Sequence, residues 1–351
     1  MKKFVLYKSS EEPHRIAESE FEKYTENKKP FKQFFGGSNH YYATCPECEN
    51  TIQLKGLYTS DKKYGAHAGK YIEGLNPFNL NNYIYCPRAV KGKHVPKDAR
   101  KEEISPKDIE IYNIIRDNFD IAIEYAKKHL GYYITDAKAK DILYVYYNSQ
   151  GWLYPHSTVN NIPFMLCYLQ SAINPYGLCV RKNSELENAI LKTVDLQTEP
   201  ISDGNIGKYY NKLLPKRGYC ILSMMIYNHQ FKEDDSGTLK EFISIHISKN
   251  ISQNPERYEG QSLVDLKIQI PELDFVLEED GKIIGHIIYV KAKLVAMDGT
   301  EKEILSFGPF TIQPDYQRKG YGRKLLEHSL EAARKLGFDT IAIWGNPENY
   351  A

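Results

Sequence analysis

Gln317-Arg318-Lys319-Gly320-Tyr321-Gly322-Arg323 is the stretch on which the reading of this chain turns. Upstream, Ile304 to Ile312 reads as a strand. Downstream, Leu325, Leu326, Leu330, Ala333 and Leu336 recur at helical spacing, which predicts an amphipathic helix from Gly322 to Leu336, ended by Gly337. A glycine-rich turn between a strand and a helix suits an anion. Gly320 and Gly322 permit positive φ and a close approach of ligand to backbone. The first N–H groups of the helix lack intrahelical acceptors, and the positive end of its dipole faces the turn. Arg318, Lys319 and Arg323 add charge, so the chemistry fits a pyrophosphate. Other phosphate loops fit worse. A Rossmann loop needs glycine or alanine where Leu325 stands, and the Gly-Lys-Ser/Thr of a Walker loop is absent. The plain alternative is a turn that uses its glycines for geometry alone.

The surroundings bear on that choice. Pro-Glu-Leu-Asp-Phe-Val lies at 271–276, Asp-Gly-Lys-Ile-Ile-Gly-His-Ile at 280–287 and Phe-Gly-Pro-Phe at 307–310. The phosphate loop follows, then Gly-Asn-Pro-Glu-Asn-Tyr at 345–350. Phe275 to Leu277 and Lys282 to Tyr289 read as strands joined by a turn at Glu279-Asp280-Gly281, and Thr340 to Trp344 as a strand. In this order the blocks resemble the GNAT superfamily of acetyl-CoA-dependent N-acetyltransferases, from about Glu259 to the end of the chain.

The resemblance implies a mixed sheet in which the strand Phe307 to Ile312 splays from Thr340 to Trp344, with acetyl-CoA in the gap as co-substrate. Pantetheine would follow Phe310, Thr311 and Ile312. Gln317, Arg318, Lys319, Gly320, Tyr321, Gly322 and Arg323 would hold the pyrophosphate, with Asn346 nearby. The acceptor amine attacks the thioester directly, and a backbone N–H of the splayed strand meets the oxyanion. Tyr350 stands where the family often has the acid that protonates the leaving thiolate; the plain reading is an aromatic at a helix start. The general base is not legible. Where some members carry Glu, this chain has Ser306, Phe307, Gly308 and Pro309. Glu303 and a bound water are the alternatives, and His286 reads as a packing histidine. Family domains continue past the tyrosine with a helix and two strands. The chain stops at Ala351, so the domain is expected to be incomplete at its C-terminus, and acetyl-CoA binding is better supported than turnover.

Elsewhere the chemistry lies in the cysteines. Cys45-Pro46-Glu47-Cys48 has the shape of a zinc knuckle, and Cys86-Pro87 follows downstream. His67 is the preferred fourth ligand, with His94 and His40 as alternatives; three reduced cysteines without metal is the plain reading. Four protein ligands would make a structural zinc. Further along, Ser105-Pro106 predicts a helix start before Ile111, Ile114, Ile115, Phe119, Ala122 and Tyr125, with Gly131 as its stop. Ala17 to Tyr24 and Ile162 to Ile173 read as helices, Phe4 to Tyr7 as a short strand, and Ser184 with Glu187 as a capping box.

The expected fold is α+β in three parts. Residues 1–100 form a loop-rich, cysteine-containing module that could bind zinc. Residues 105–214 form a mixed, largely helical region of no recognised family. Residues 215–351 form the GNAT-like domain, a mixed sheet with flanking helices. At 351 residues the chain is long enough for two or three such parts. A formal net charge of +1 gives no field for nucleic acid or a membrane surface. No apolar run reaches the length of a membrane helix, the start is not a signal peptide, and the cysteines do not form a disulfide framework, so a cytoplasmic location is expected. Partners expected are a small-molecule or peptide amine, with a homodimer left open and neither membrane nor nucleic acid. The competing class is a zinc-containing interaction protein carrying an inactive, truncated acetyltransferase remnant.

Overall fold

A computed structural model describes residues 1–9, 11–89, 95–202, 204–217, 221–250, 260–270, 274–279, 282–295, 300–335 and 338–343. It is α+β, and two compact units share the chain. The first comprises Met1–Glu102, Leu130–His156 and Leu166–Ile270; the second comprises Glu103–His129, Ser157–Met165 and Pro271–Ala351. The three sequence segments follow chain order, whereas the units interleave.

In the first unit, Lys32–Phe35, Ser38–Thr44, Thr51–Lys55 and Tyr64–His67 form an antiparallel sheet in sequence order. The helix Glu18–Thr25 lies where Ala17 to Tyr24 was expected, and its Phe21 is fully buried. The expected strand at Phe4 to Tyr7 is shorter: Lys3–Phe4 pairs with His14–Arg15, and Val5 only bridges to Thr44. Ser184 caps the helix Glu185–Leu191 by accepting from the Glu187 N–H. Leu222–Glu233, Leu239–Asn250 and Gly260–Gln269 form an antiparallel sheet that the sequence reading did not draw. Its signal was there, since Ile243, Ile245 and Ile247, at every second position, are all fully buried.

In the second unit the sheet runs Asp274–Glu279 (β1), Lys282–Val295 (β2), Glu301–Ile312 (β3) and Ile341–Ala342 (β4) in that order. The first three are antiparallel, and β4 joins β3 in parallel. The helix Pro106–Leu130 (α1) belongs here up to His129. Ser105 donates from both its N–H and its hydroxyl to the Asp108 carboxylate, at 2.8 and 2.7 Å, which closes the N-terminus. Gly131, at φ +76°, takes the left-handed turn that ends the helix. Asn118 interrupts α1 with non-helical backbone, and its amide donates to the Ile114 carbonyl. The buried helix expected from Ile162 to Ile173 ends at Tyr168.

The helix Tyr321–Lys335 (α2) completes the unit. Side chains on β2 alternate between the faces of the sheet. Gly285, Ile287 and Tyr289 meet α2, and His286 meets Tyr125 of α1, ring centroids 6.3 Å apart. The α2 side forms an apolar core of Ile287, Tyr289, Leu305, Phe307, Leu325 and Ala333. Among the described residues no helix is long and apolar enough to cross a membrane.

Candidate functional site

The loop from Gln317 to Arg323 runs from the end of β3 into the start of α2. Gln313 anchors the exit of β3: its N–H donates to the Ile284 carbonyl and its side-chain amide to the Ile283 carbonyl, both at 2.8 Å. A single 3-10 turn follows at Pro314–Tyr316. The Gln317 amide then reaches back to the Ile312 carbonyl at 2.9 Å, tying the loop to the strand it leaves. Arg318 and Gly320 both have positive φ, +57° and +86°. The Lys324 N–H donates to the Gly320 carbonyl, so the helical ladder starts at Gly320. Two left-handed residues so close together make the sharp turn that leads the chain from β3 into α2.

The side chains divide between structure and solvent. Gln317, Arg318, Lys319, Gly320 and Arg323 are exposed, and Tyr321 and Gly322 half-buried. A Cβ on Gly322 would touch Phe310 and Ile312 at 3.4 and 3.5 Å, so the start of α2 rests on the end of β3. Lys319 Nζ lies 5.6 Å from the centre of the Tyr316 ring. Arg323 pairs along the helix with Glu327 at 2.8 Å, and that hydrogen bond raises its pKa.

β3 has two features beside the loop. Its pairing with β4 covers Leu305↔Ile341 and Ser306↔Ala342. Among the described residues no strand pairs with that edge from Phe307 onward. On the other side, Ile287↔Phe310 and Tyr289↔Phe307 leave Gly308 and Pro309 opposite Ile288 alone, a bulge that bends the strand. Phe310 and Ile312 pack toward α2, while Thr311 is exposed and pairs with His286.

Residues 243–351 match the model of the acetyltransferase (GNAT) family. The C-terminal part of this chain is a GNAT-superfamily domain. Over 90 residues the chain is 30% identical to an uncharacterized N-acetyltransferase, YjhQ, of Escherichia coli (strain K12), a stretch that is 25% of this chain and 49% of that protein. The chain therefore spans about half the length of this curated relative.

Within the GNAT domain, sequence reasoning missed the residues that seat α2. A Cβ on Gly285 would meet Ile312 at 2.5 Å and Leu277 and Leu325 at 3.3 Å, so a side chain here would press on both neighbouring strands and on α2. Tyr289 and Ser329 share a buried hydrogen bond at 2.9 Å between β2 and α2. Of the expected catalytic and cofactor residues, Tyr350 and Asn346 lie outside the described residues, as does the side chain of Glu303. His286 is half-buried and lines a cavity of about 90 Å³ with Ile283, the α1 residues Ile114, Asn118, Ile121, Ala122 and Tyr125, and residues 159, 160, 162 and 163.

The first unit holds a second constellation. The ligand atoms of Cys45, Cys48, His67 and Cys86 lie within 4.8 Å of one another. The turn Cys45–Asn50 follows the strand Ser38–Thr44; the Cys45 N–H donates to Asn50 O and the Glu49 N–H to Cys45 O. His67 ends the last strand of the sheet, and Cys86 follows the short helix Leu80–Ile84. Cys45 and Cys86 sulfurs are 3.8 Å apart, and Cys48 Sγ is 3.2 Å from His67 Nε2. Tetrahedral zinc with Zn–S near 2.3 Å sets its sulfurs about 3.8 Å apart, so the cluster is compatible with zinc. The Asn50 amide lies 3.5 Å from Cys48 Sγ and is itself fixed by the backbone of Asn79. Without a cation, hydrogen bonds from Cys45 and Cys86 hold the Cys48 thiol far below its usual range, while Cys45 is pushed well above by its bond to Cys48. A divalent cation bound here would displace thiol protons. His40 is elsewhere, its ring nitrogens engaged by Ser38 and Gln53, and His94 lies outside the described residues.

Proposed function

We propose that this chain is an acetyl-CoA-dependent N-acyltransferase that moves an acetyl group onto an amine, either a small molecule or a peptide. The observation that carries the reading is the loop Gln317–Arg323, with positive φ at Arg318 and Gly320, set beside the stretch of β3 that no described strand pairs. The loop amides would take the pyrophosphate. The pantetheine amides would pair with the backbone of Phe310, Thr311 and Ile312 as an added strand would. The bulge at Gly308-Pro309 directs the backbone near the thioester, where an N–H stabilises the oxyanion. Direct attack needs the amine uncharged and held close to the carbonyl, and positioning of that kind supplies much of the rate. Tyr350 is the proposed acid for the leaving thiolate.

We also propose that Cys45, Cys48, His67 and Cys86 hold one structural zinc, because four protein donors leave no open position for chemistry. Fewer than about 0.2 zinc per chain in untreated protein would contradict this, since structural zinc binds tightly. A compact unit with its own metal-type cluster also supports a second reading, a zinc-containing interaction protein carrying an inactive acetyltransferase domain. A thiol-release assay separates the two. The first reading predicts free coenzyme A thiol from acetyl-CoA only when an amine acceptor is present. Acetyl-CoA binding without thiol release across a broad amine panel would favour the second.

A further inference from the structure

We propose that the cavity between α1 and β2 takes the side chain of the acceptor, and that the acceptor is an amine bearing a branched aliphatic or aryl group rather than a second charge. The inference rests on the acyltransfer reading and names its substrate class. Ile114, Ile121 and Ala122 of α1 form one wall, Ile162 and Pro163 a second, and Ile283 closes it from the sheet. Among the described residues no charged side chain lines it; the polar groups are Asn118, Tyr125, Asn160 and His286. An ammonium placed inside would lose its hydration with no carboxylate to replace it, which is strongly unfavourable. An apolar group loses nothing, and a small apolar cavity has little hold on water.

Size and position narrow the occupant. One water needs roughly 10–15 Å³ by this kind of measure, so about 90 Å³ has room for roughly six to nine heavy atoms. A benzyl group is of that order, and the smaller isobutyl group fits within it. His286, which lines the cavity, is the cross-strand partner of Thr311. Residues so paired lie about 5 Å apart, so the cavity is one strand away from the edge proposed for pantetheine. α1 also breaks its helical geometry at Asn118, on the cavity wall, where a buried amide sits among the apolar side chains. The acceptor would place its side chain among the isoleucines and keep its amine outside, toward β3.

Glycine, leucine, phenylalanine and lysine amides, titrated calorimetrically into full-length protein saturated with coenzyme A, test this. Leucine and phenylalanine amides are expected to bind at least tenfold tighter than glycine and lysine amides, since one methylene in an apolar pocket already gives roughly 10–200-fold. Ile121→Trp, at a position 46% exposed in the free chain, and Val159→Phe from the facing wall should each remove that preference and leave coenzyme A binding unchanged. Equal binding of all four amides, binding of none, or a preference that survives both variants overturns the proposal. Failure to bind coenzyme A appears separately in the same titration and counts against the acyltransfer reading instead.

Discussion

His156 lies in the first unit, where a buried proton would be unfavourable. Its Nε2 faces the Tyr85 carbonyl at 2.9 Å, and its ring packs edge-on against His229 and Phe231. Burial first, then the charge of His229, pushes its pKa down to about 4, with Lys101 acting in the same direction. His229 is itself bound to Glu241 at 2.5 Å and to the Tyr154 hydroxyl at 3.2 Å. Between pH 4 and the unfolded value near 6.5, the unfolded chain binds a proton that the folded chain rejects. Stability is therefore full above about pH 6.5 and falls as the pH drops toward 4, by about 3 kcal/mol at most. Urea unfolding of the first unit at several pH values should show that loss, and His156→Gln should flatten it. A profile unchanged by the substitution would place the acid sensitivity elsewhere. At this scale the cysteines and His67 could be picked out because metal ligands are rare residue types at telling spacings. His286 was read as a packing histidine; its place on a cavity wall was not legible, because an isolated histidine in an apolar run reads the same whether it fills a core or lines a cavity.

The strands and helix around the loop from Gln317 to Arg323 were legible because each carries its own period. Lys282 to Tyr289, Ile304 to Ile312 and Gly322 to Leu336 were expected, and the structure has β2, β3 and α2 there, with β2 running on to Val295. What holds them together was not legible, since it depends on distances across elements. Gly285 is the clearest case. An alanine there would drive its Cβ into Ile312 and press on Leu277 and Leu325. The Ile312 contact can relax, being the end of a flexible side chain, but the other two leave little room. Gly285→Ala should destabilise the GNAT domain by about 1–3 kcal/mol, the usual range for overpacking. The unfolding midpoint of that domain, followed through α2, measures it. An unchanged midpoint would mean that α2 is not seated as described.

Two compact units built from interleaved segments explain why domain boundaries were hard to read along the chain. Local composition marks linkers, but it cannot show that α1 belongs with a sheet that begins at residue 274, well over a hundred residues later. Within the first unit the cysteine–histidine cluster is joined to distant chain by Arg88, two residues beyond Cys86. Its guanidinium, 5% exposed, reaches Glu47 in the cysteine turn at 3.1 Å and Glu233 at 2.6 Å, and donates to the Gly237 carbonyl. Chelating the proposed zinc should thus raise amide exchange both in the strands from Ser38 to His67 and around residues 233–239. Exchange that ignores the chelator would show that the cluster needs no metal.

The central claim is that the loop from Gln317 to Arg323 binds the pyrophosphate of acetyl-CoA. Gly320 is the position on which to test it, since a Cβ there meets nothing within 4 Å but the backbone has φ +86°. Asparagine tolerates that conformation, and aspartate differs from it mainly by a negative charge. Calorimetric titration of acetyl-CoA into the wild-type chain, Gly320→Asn and Gly320→Asp is the most direct measurement. The predicted result is saturable binding by the wild type, with Gly320→Asp weaker than Gly320→Asn by at least tenfold, about 1.4 kcal/mol. No binding by the wild type, or equal affinity in the two variants, would contradict it.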